Sequence, residues 1–203
     1  MEQVNFKYTE LCNTPSDINE HLPTVYRYAR ECESVFETGV RGCISSWALA
    51  KGLLENGKSK KKLFLNDIFP CNISGLLDST KSLPITVEYK WINNLQLELP
   101  YSVDMTFIDT WHIYGQLKRE LNKFSKVTNK YIAMHDTTVD AIHGETIRLG
   151  MNAQQQSIES GFPVKEINCG LQKAIDEFLA ENTNWTLDVR YINNNGLTIL
   201  RKV

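Results

Sequence analysis

The chain alternates short apolar runs with segments whose apolar residues recur at helical spacing, and this alternation constrains the fold more than any other feature. Strands joined by crossover helices form a mostly parallel sheet that helices cover on both faces. The sequence therefore predicts an α/β fold of this kind. The predicted strands cover residues 34–37, 63–65, 85–89, 103–108, 131–134, 185–191 and 197–200.

Helix boundaries are predicted from capping residues and apolar spacing. Asp17 is placed to cap a first helix, and Ser45 or Ser46 is placed to cap the helix that follows the first strand. The Asn195-Gly196 step between the last two strands predicts an antiparallel hairpin, because both residues tolerate positive φ. Further helices are predicted over residues 71–79, 113–124 and 171–179.

The domain organisation is predicted from length and composition. The 203 residues contain no internal repeat, no low-complexity linker and no shift in composition, which indicates one domain over 1–203. Residues 137–167 show weak periodicity and many polar groups, so we expect a lid or substrate loop there. The five cysteines are odd in number and lack C-x-x-C spacing, which favours reduced thiols over a disulfide framework or a zinc site.

The charge balance restricts the class of partner. Lys and Arg number 22 against 24 Asp and Glu, so the net charge of −2 provides no field for a polyanion, and nucleic acid is not expected as a partner. No apolar stretch approaches the roughly 20 residues needed to span a bilayer. The first residues have neither the basic start nor the apolar run of a secretion signal, so we expect a cytoplasmic protein without membrane contact.

Acidic residues follow four of the predicted strands. Glu37, Asp67, Asp109 and Asp136 stand at strand ends, and Glu88 lies near the end of another strand. The polarity of loops alone would explain any single one of them, but the carboxyl ends of parallel strands line one crevice. Clustered carboxylates repel one another unless positive charge compensates. The pattern therefore predicts a cationic ligand, a divalent metal ion, or both.

The loop after the first strand differs from a dinucleotide-binding loop. Its sequence is Glu37-Thr38-Gly39-Val40-Arg41-Gly42-Cys43, which lacks the G-x-G-x-x-G pattern and places a carboxylate just before the first glycine. A carboxylate there would oppose a pyrophosphate. The loop favours a cationic ligand over NAD.

The Glu37-x-Gly39-Val40-Arg41 loop, followed by Ser45-Ser46-Trp47-Ala48, resembles the first motif of class I S-adenosylmethionine (SAM)-dependent methyltransferases, in a small Glu-x-Gly-Val-Arg variant. The resemblance runs from about Pro15 to the end of the chain and extends to sugar O-methyltransferases and cephalosporin hydroxylase-like proteins. It implies a Rossmann-like, seven-stranded sheet with an antiparallel last strand. Further similar segments are 66–68, 107–112, 131–137 and 193–198.

The resemblance implies a set of donor-binding residues. Glu37 and the Gly39 loop would meet the aminoacyl part of SAM, and Asp67 would accept hydrogen bonds from the ribose hydroxyls. Arg41 either pairs with the donor carboxylate or pins the loop to a neighbouring carboxylate. Ser45 and Asp109 complete the implied set.

The resemblance also implies a metal site and a base. Asp109 and Asp136 match positions that hold magnesium in metal-dependent sugar methyltransferases. His135 stands where those enzymes often carry another acid, although imidazole suits Mg²⁺ less well than carboxylate does. His112 matches the general base and would take the acceptor proton with Asp109 beside it; alternatively, it caps the following helix or packs in the crevice floor.

The sequence therefore predicts a SAM-dependent methyltransferase that acts on a hydroxyl of a sugar, a nucleotide sugar or another small acceptor. An oligomer is compatible with this prediction. In the 137–167 segment, His143-Gly144-Glu145 and Arg148 are candidates for acceptor contact, although their polarity is equally typical of a surface. Two alternatives remain open, namely a non-catalytic SAM-binding or partner-binding module of the same fold and an NAD-linked sugar oxidoreductase.

Overall fold

A seven-stranded sheet forms the centre of the computed structural model, which describes residues 1–203. The order across the sheet is β3-β2-β1-β4-β5-β7-β6, and all neighbouring strands are parallel except that β7 is antiparallel to β5 and β6. The predicted α/β fold and its antiparallel C-terminal hairpin are confirmed. The strands are β1 (Ser34–Thr38), β2 (Lys62–Asp67), β3 (Thr86–Trp91), β4 (Val103–Ile108), β5 (Thr128–His135), β6 (Trp185–Tyr191) and β7 (Leu197–Lys202).

Helices cover both faces of the sheet. The strands alternate their side chains between two apolar cores, so that Met105 and Phe107 of β4 pack in one core and Ile108 packs in the other. Helices α1 to α4 contribute to the first core, and α5 and α9 contribute to the second. The helices are α1 (Glu2–Asn13), α2 (Leu22–Ala29), α3 (Ile44–Leu54), α4 (Ser74–Thr80), α5 (Tyr114–Phe124), α6 (Glu145–Arg148), α7 (Ala153–Ser160), α8 (Val164–Asn168) and α9 (Leu171–Glu181).

Two predicted helix caps are wrong. A 3-10 turn (Asn19–His21) precedes α2, and Asp17 instead pairs with the Arg41 guanidinium at 3.1 Å. The residue before α3 is Cys43, in a left-handed conformation with φ 60°, and neither Ser45 nor Ser46 lies at the cap. Both serines point back to β1, where a buried carboxylate outcompetes the helix end for their hydroxyls.

The segment 137–167 contains three short helices, α6 to α8, rather than an open loop. Helix α1 was also not predicted; Val4 is its single buried residue, so the helix carries little apolar periodicity. None of the helices combines the length and the apolar character needed to cross a membrane.

The C-terminal hairpin turns through three residues of positive φ. Asn194, Asn195 and Gly196 have φ of 44°, 67° and 98°, which explains why an Asn-Asn-Gly sequence stands there. A Cβ on Gly196 would lie 2.3 Å from the Thr138 hydroxyl oxygen, so the turn packs closely on the chain that leaves β5.

Candidate functional site

Four carboxylates lie at the same edge of the sheet. Glu37 and Asp67 are in the last residues of β1 and β2, Asp109 directly follows β4, and Asp136 directly follows β5. These strands are neighbours in the order β2-β1-β4-β5, so the predicted convergence at one edge is present. Glu88 does not join them, because β3 continues to Trp91 and places Glu88 in mid-strand opposite Phe64.

The loop after β1 packs closely against the neighbouring strand end. Gly39 has φ +90°, and a Cβ there would lie 1.8 Å from the Asp109 carbonyl oxygen. Its N–H donates to the Asn66 carbonyl at 2.9 Å. Only glycine meets both the backbone angle and the close approach. The loop is therefore fixed between β2 and the residue after β4.

Asp67 connects two loops through backbone hydrogen bonds. Its carboxylate accepts from the Arg41 N–H at 2.9 Å and from the Phe69 N–H at 2.8 Å. The Arg41 side chain extends away and is 81% exposed, with its guanidinium paired to Asp17. Of the two roles predicted for Arg41, pinning the loop to a neighbouring carboxylate is the contact present here.

Glu37 is fully buried beneath the loop. Its two carboxylate oxygens accept hydrogen bonds from the hydroxyls of Ser45 and Ser46 in the first turn of α3. Burial raises the pKa of Glu37 to about 7, and the two hydroxyls only partly oppose this increase. The carboxyl group therefore ties the end of β1 to the start of α3.

A second group of side chains, the His112 centre, comprises Asp109, His112, His135 and Asp136. The Nε2 of His112 lies 3.1 Å from both Asp109 Oδ1 and Asp136 Oδ2. The Nδ1 of His135 lies 3.6 Å and 3.5 Å from the same two oxygens. Two carboxylate oxygens thus stand between two imidazole nitrogens, and Asp136 reaches them from a left-handed backbone with φ 56°.

The 137–167 segment adds two carboxylates on the far side of His112. The Nδ1 of His112 lies 3.0 Å from Glu145 Oε2 and 3.3 Å from Asp140 Oδ2. Asp140 is itself held by Arg148 through contacts of 2.6 and 2.8 Å. Asp140 could not be predicted as a site residue from sequence, because its position depends on the path of this segment.

The imidazoles of His112 and His135 balance the negative charge of the carboxylates in the His112 centre. Burial opposes protonation of His112, but the nearby carboxylates of Asp109, Asp140 and Glu145 outweigh it and hold the pKa of His112 well above its usual value. Burial likewise opposes protonation of His135, whose pKa Asp109 and Asp136 raise to about 10. Burial alone would raise the pKa of Asp109, yet the two histidines hold it well below its ordinary range.

Several atoms of the His112 centre lack hydrogen-bond partners. His135 donates through Nε2 to the Asn194 carbonyl at 3.3 Å, whereas its Nδ1 has no hydrogen bond although the side chain is 1% exposed. Asp136 Oδ1 is also buried without a partner. Unpaired buried polar atoms are costly unless a ligand, a water or an ion satisfies them. The residues present therefore fit a bound cation.

A polar network lies behind the His112 centre. The buried Glu120 accepts through Oε1 from Asn94, Thr110 and Gln116, while its Oε2 has no partner. Burial raises the pKa of Glu120. Glu120 lines a small cavity together with His112 and His135, with room for about one water molecule. The sequence analysis missed Glu120 because its position in α5 has the pattern of an ordinary helix residue.

Solved methyltransferase structures share this fold. The N-methyltransferase NodS from Bradyrhizobium japonicum WM9 is 15% identical, with a TM-score of 0.62 over 92% of this chain and 96% of that chain. The O-methyltransferase TomG from Streptomyces achromogenes, in complex with SAM, is 15% identical, with a TM-score of 0.60 over 94% and 82%. An O-methyltransferase from Bacillus cereus, in complex with S-adenosylhomocysteine (SAH), is 14% identical, with a TM-score of 0.62 over 100% and 91%.

The chain therefore has the Rossmann-like fold of class I SAM-dependent methyltransferases. No protein-family model and no curated protein sequence matches it. Identities of 14% and 15% establish the shared fold, and the chemistry must follow from the residues of this chain.

Proposed function

We propose that this protein transfers a methyl group from SAM to a hydroxyl of a small polar acceptor, with a sugar or a nucleotide sugar as the favoured class. The observation that carries the proposal is the convergence of carboxylates from four neighbouring strands beside the Gly39 loop. SAM carries a positive sulfonium and a positive ammonium group, and such an edge compensates positive charge. The fold shared with SAM-bound and SAH-bound methyltransferases supports the same donor.

The donor would bind along the Gly39 loop. Asp67 uses one lone pair on each oxygen for the backbone of Arg41 and Phe69, so further lone pairs are free to accept from the ribose hydroxyls. Glu37 and Ser45 hold the loop from below. Asp109 closes the donor site on the β4 side, where its carbonyl meets Gly39.

A cation would be held by Asp109, His135 and Asp136, with Mg²⁺ as the ion that the sequence resemblance implies. When bound, such an ion supplies a site for two oxygens of the acceptor and polarises the hydroxyl that reacts. Asp109 Oδ1 and Asp136 Oδ2 face the unpaired Nδ1 of His135, and Asp136 Oδ1 is also buried without a partner.

His112 is the proposed general base. Its Nδ1 faces Glu145 and Asp140, and its Nε2 faces the centre, where it donates to Asp109 Oδ1. A ring oriented in this way can take a hydroxyl proton through Nε2, as in other carboxylate-oriented histidines. The positive charge of the donor would favour the neutral state that this role requires. The 137–167 segment thereby acts as a lid that contributes the orienting carboxylates.

Calorimetry and turnover assays test this function. We expect SAM and SAH to bind and NAD⁺ not to bind. With hydroxylated acceptors that include nucleotide sugars, mass spectrometry should detect methylated product. His112→Gln should lower turnover by about 100-fold or more and leave the donor Kd unchanged. Glu98→Gln, at a side chain that is 91% exposed, serves as the control and should keep full turnover.

Each contrary result has a distinct meaning. Donor binding without transfer to any of sugars, phenols or amines would favour a non-catalytic module. Binding of NAD⁺ in place of SAM would favour an oxidoreductase. Full turnover in His112→Gln would remove the assignment of the base while leaving the methyltransferase function in place.

A further inference from the structure

We propose that the cation site at Asp109, His135 and Asp136 is built for a first-row transition-metal ion such as Mn²⁺, Fe²⁺ or Zn²⁺, in preference to Mg²⁺. The inference rests on the proposed function only in placing a cation at this edge of the sheet. It concerns the chemistry of the three ligands, and above all the imidazole of His135.

The spacing of the three side chains matches ligands that share one ion. His135 Nδ1 is 3.6 Å from Asp109 Oδ1 and 3.5 Å from Asp136 Oδ2, and it makes no hydrogen bond with either oxygen. Two donor atoms that each lie about 2.1 Å from the same ion are about 3.0 to 3.5 Å apart. The His135 distances are slightly longer than this range, so a small inward movement would complete the site. The Nε2 of His112 lies 3.1 Å from the same two oxygens, so the test must separate the two nitrogens.

The far side of the His135 ring supports a ligand role. Its Nε2 donates to the Asn194 carbonyl at 3.3 Å, so Nδ1 is the nitrogen that would bind an ion, in exchange for the proton that it carries without one. Metal-binding histidines usually hold their second ring nitrogen in this way. The Nδ1 is directed at two carboxylates from a side chain that is 1% exposed.

The ligand types determine the class of ion. Mg²⁺ prefers oxygen donors and keeps several waters, whereas imidazole is a typical ligand of Fe²⁺ and Zn²⁺ and is accepted more readily by Mn²⁺ than by Mg²⁺. One imidazole with two carboxylates is a set suited to these transition metals. A site made for Mg²⁺ would be expected to carry a third oxygen ligand at residue 135.

Mn²⁺ is the probe for the test, because its electron paramagnetic resonance reports directly bound nitrogen. The full chain is stripped of metal with a chelator and titrated with MnCl₂ and with MgCl₂, without donor. We expect Mn²⁺ to bind about 100-fold more tightly than Mg²⁺. Pulsed resonance of the Mn²⁺ complex should show nitrogen hyperfine coupling.

Variants identify the nitrogen. His135→Asp and His135→Asn should abolish the coupling and reduce the preference for Mn²⁺, with circular dichroism as the check on folding. His112→Gln should keep the coupling, and the exposed His143→Asn is the matched control. Coupling that disappears only in His112→Gln would overturn the ligand set.

Equal affinities for Mn²⁺ and Mg²⁺, or a wild-type complex without nitrogen coupling, would also overturn the inference. His135 would then act only as a protonated counter-charge to the two carboxylates. Donor binding is measured separately, so the two proposals fail separately: SAM binding without nitrogen coupling contradicts this inference alone, and Mn²⁺ binding without SAM binding contradicts the methyltransferase function alone.

Discussion

Glu37 illustrates how one buried carboxyl group links local structure to pH. It lies under the Gly39 loop with no exposure, and burial raises its pKa to about 7. Hydroxyls of Ser45 and Ser46 hold both of its oxygens, so the residue joins β1 to α3 at the point where the loop begins. Its ionisation in the folded protein costs free energy, since no positive group lies beside it.

The pH dependence of stability follows from this raised pKa. Below pH 4.5 the Glu37 carboxyl is protonated in both the folded and the unfolded protein. As the pH rises from 4.5 to 7, the unfolded protein is favoured because its Glu37 ionises more easily. Glu37→Gln should remove this pH-dependent loss of folding stability. Relative to the variant, the wild type should lose about 3 kcal/mol of unfolding free energy between pH 4.5 and 7.5, measured by urea titration.

Glu98→Gln is the control, because the Glu98 side chain is 91% exposed. Parallel pH profiles for the wild type and Glu37→Gln would contradict the assigned pKa. That outcome would not contradict the described geometry of the Gly39 loop.

At the scale of elements, aromatic and charged contacts hold the 137–167 segment against Trp111 and α5. Phe162 stacks on Trp111 with ring centroids 5.9 Å apart and an interplanar angle of 12°. The Arg119 guanidinium lies 4.2 Å from the centre of the Phe162 ring and bonds Glu166 at 2.7 Å. The rings and the ion pair together hold the chain between α7 and α8 against α5.

Phe162→Ala should loosen this segment without unfolding the sheet. Loss of the stack and of the cation–π contact should destabilise the lid by about 1 to 3 kcal/mol. Hydrogen exchange of amides in 153–168 should accelerate, while exchange in β1 and β4 stays unchanged. Ile158→Ala, at a residue 72% exposed, is the control; equal exchange rates in both variants would show that Phe162 does not fasten the lid.

Strands were more predictable than helix ends. Apolar runs such as Leu63–Leu65 are buried on both faces, and this burial produces the same pattern in the sequence and in the structure. The prediction of a helix cap at Ser45 or Ser46 was wrong because both hydroxyls donate to the Glu37 carboxylate in β1. The three short helices within the 137–167 segment were not predicted, because each is too brief to establish a periodicity.

At the scale of the whole molecule, the sheet order places the candidate site where four strands end together. The sequence predicted that Glu37, Asp67, Asp109 and Asp136 would meet, because parallel strands present their carboxyl ends at one edge. The contact of Asp140 with His112 could not be predicted from sequence, since it depends on how the lid folds back.

Donor binding should stabilise the molecule as a whole. A ligand present at 100 times its Kd adds about 2.7 kcal/mol to the unfolding free energy. For a chain of this length SAH should therefore raise the Tm by about 5 to 10 °C. Thermal unfolding monitored by differential scanning calorimetry measures this increase, and NAD⁺ at the same concentration is the control. An equal increase with NAD⁺ would contradict a site specific for SAM.

The position of β7 between β5 and β6 affects how the chain is made. Synthesis of β7 starts 62 residues after β5 ends, at Leu197 against His135. During synthesis on the ribosome, the edge of β5 that pairs with β7 therefore stays without its hydrogen-bond partners. Unpaired strand edges can pair with other chains. The Asn194 carbonyl that holds His135 arrives with the same late hairpin. We expect a chaperone that shields this edge of β5 to reduce aggregation of the nascent chain until β7 has been synthesised.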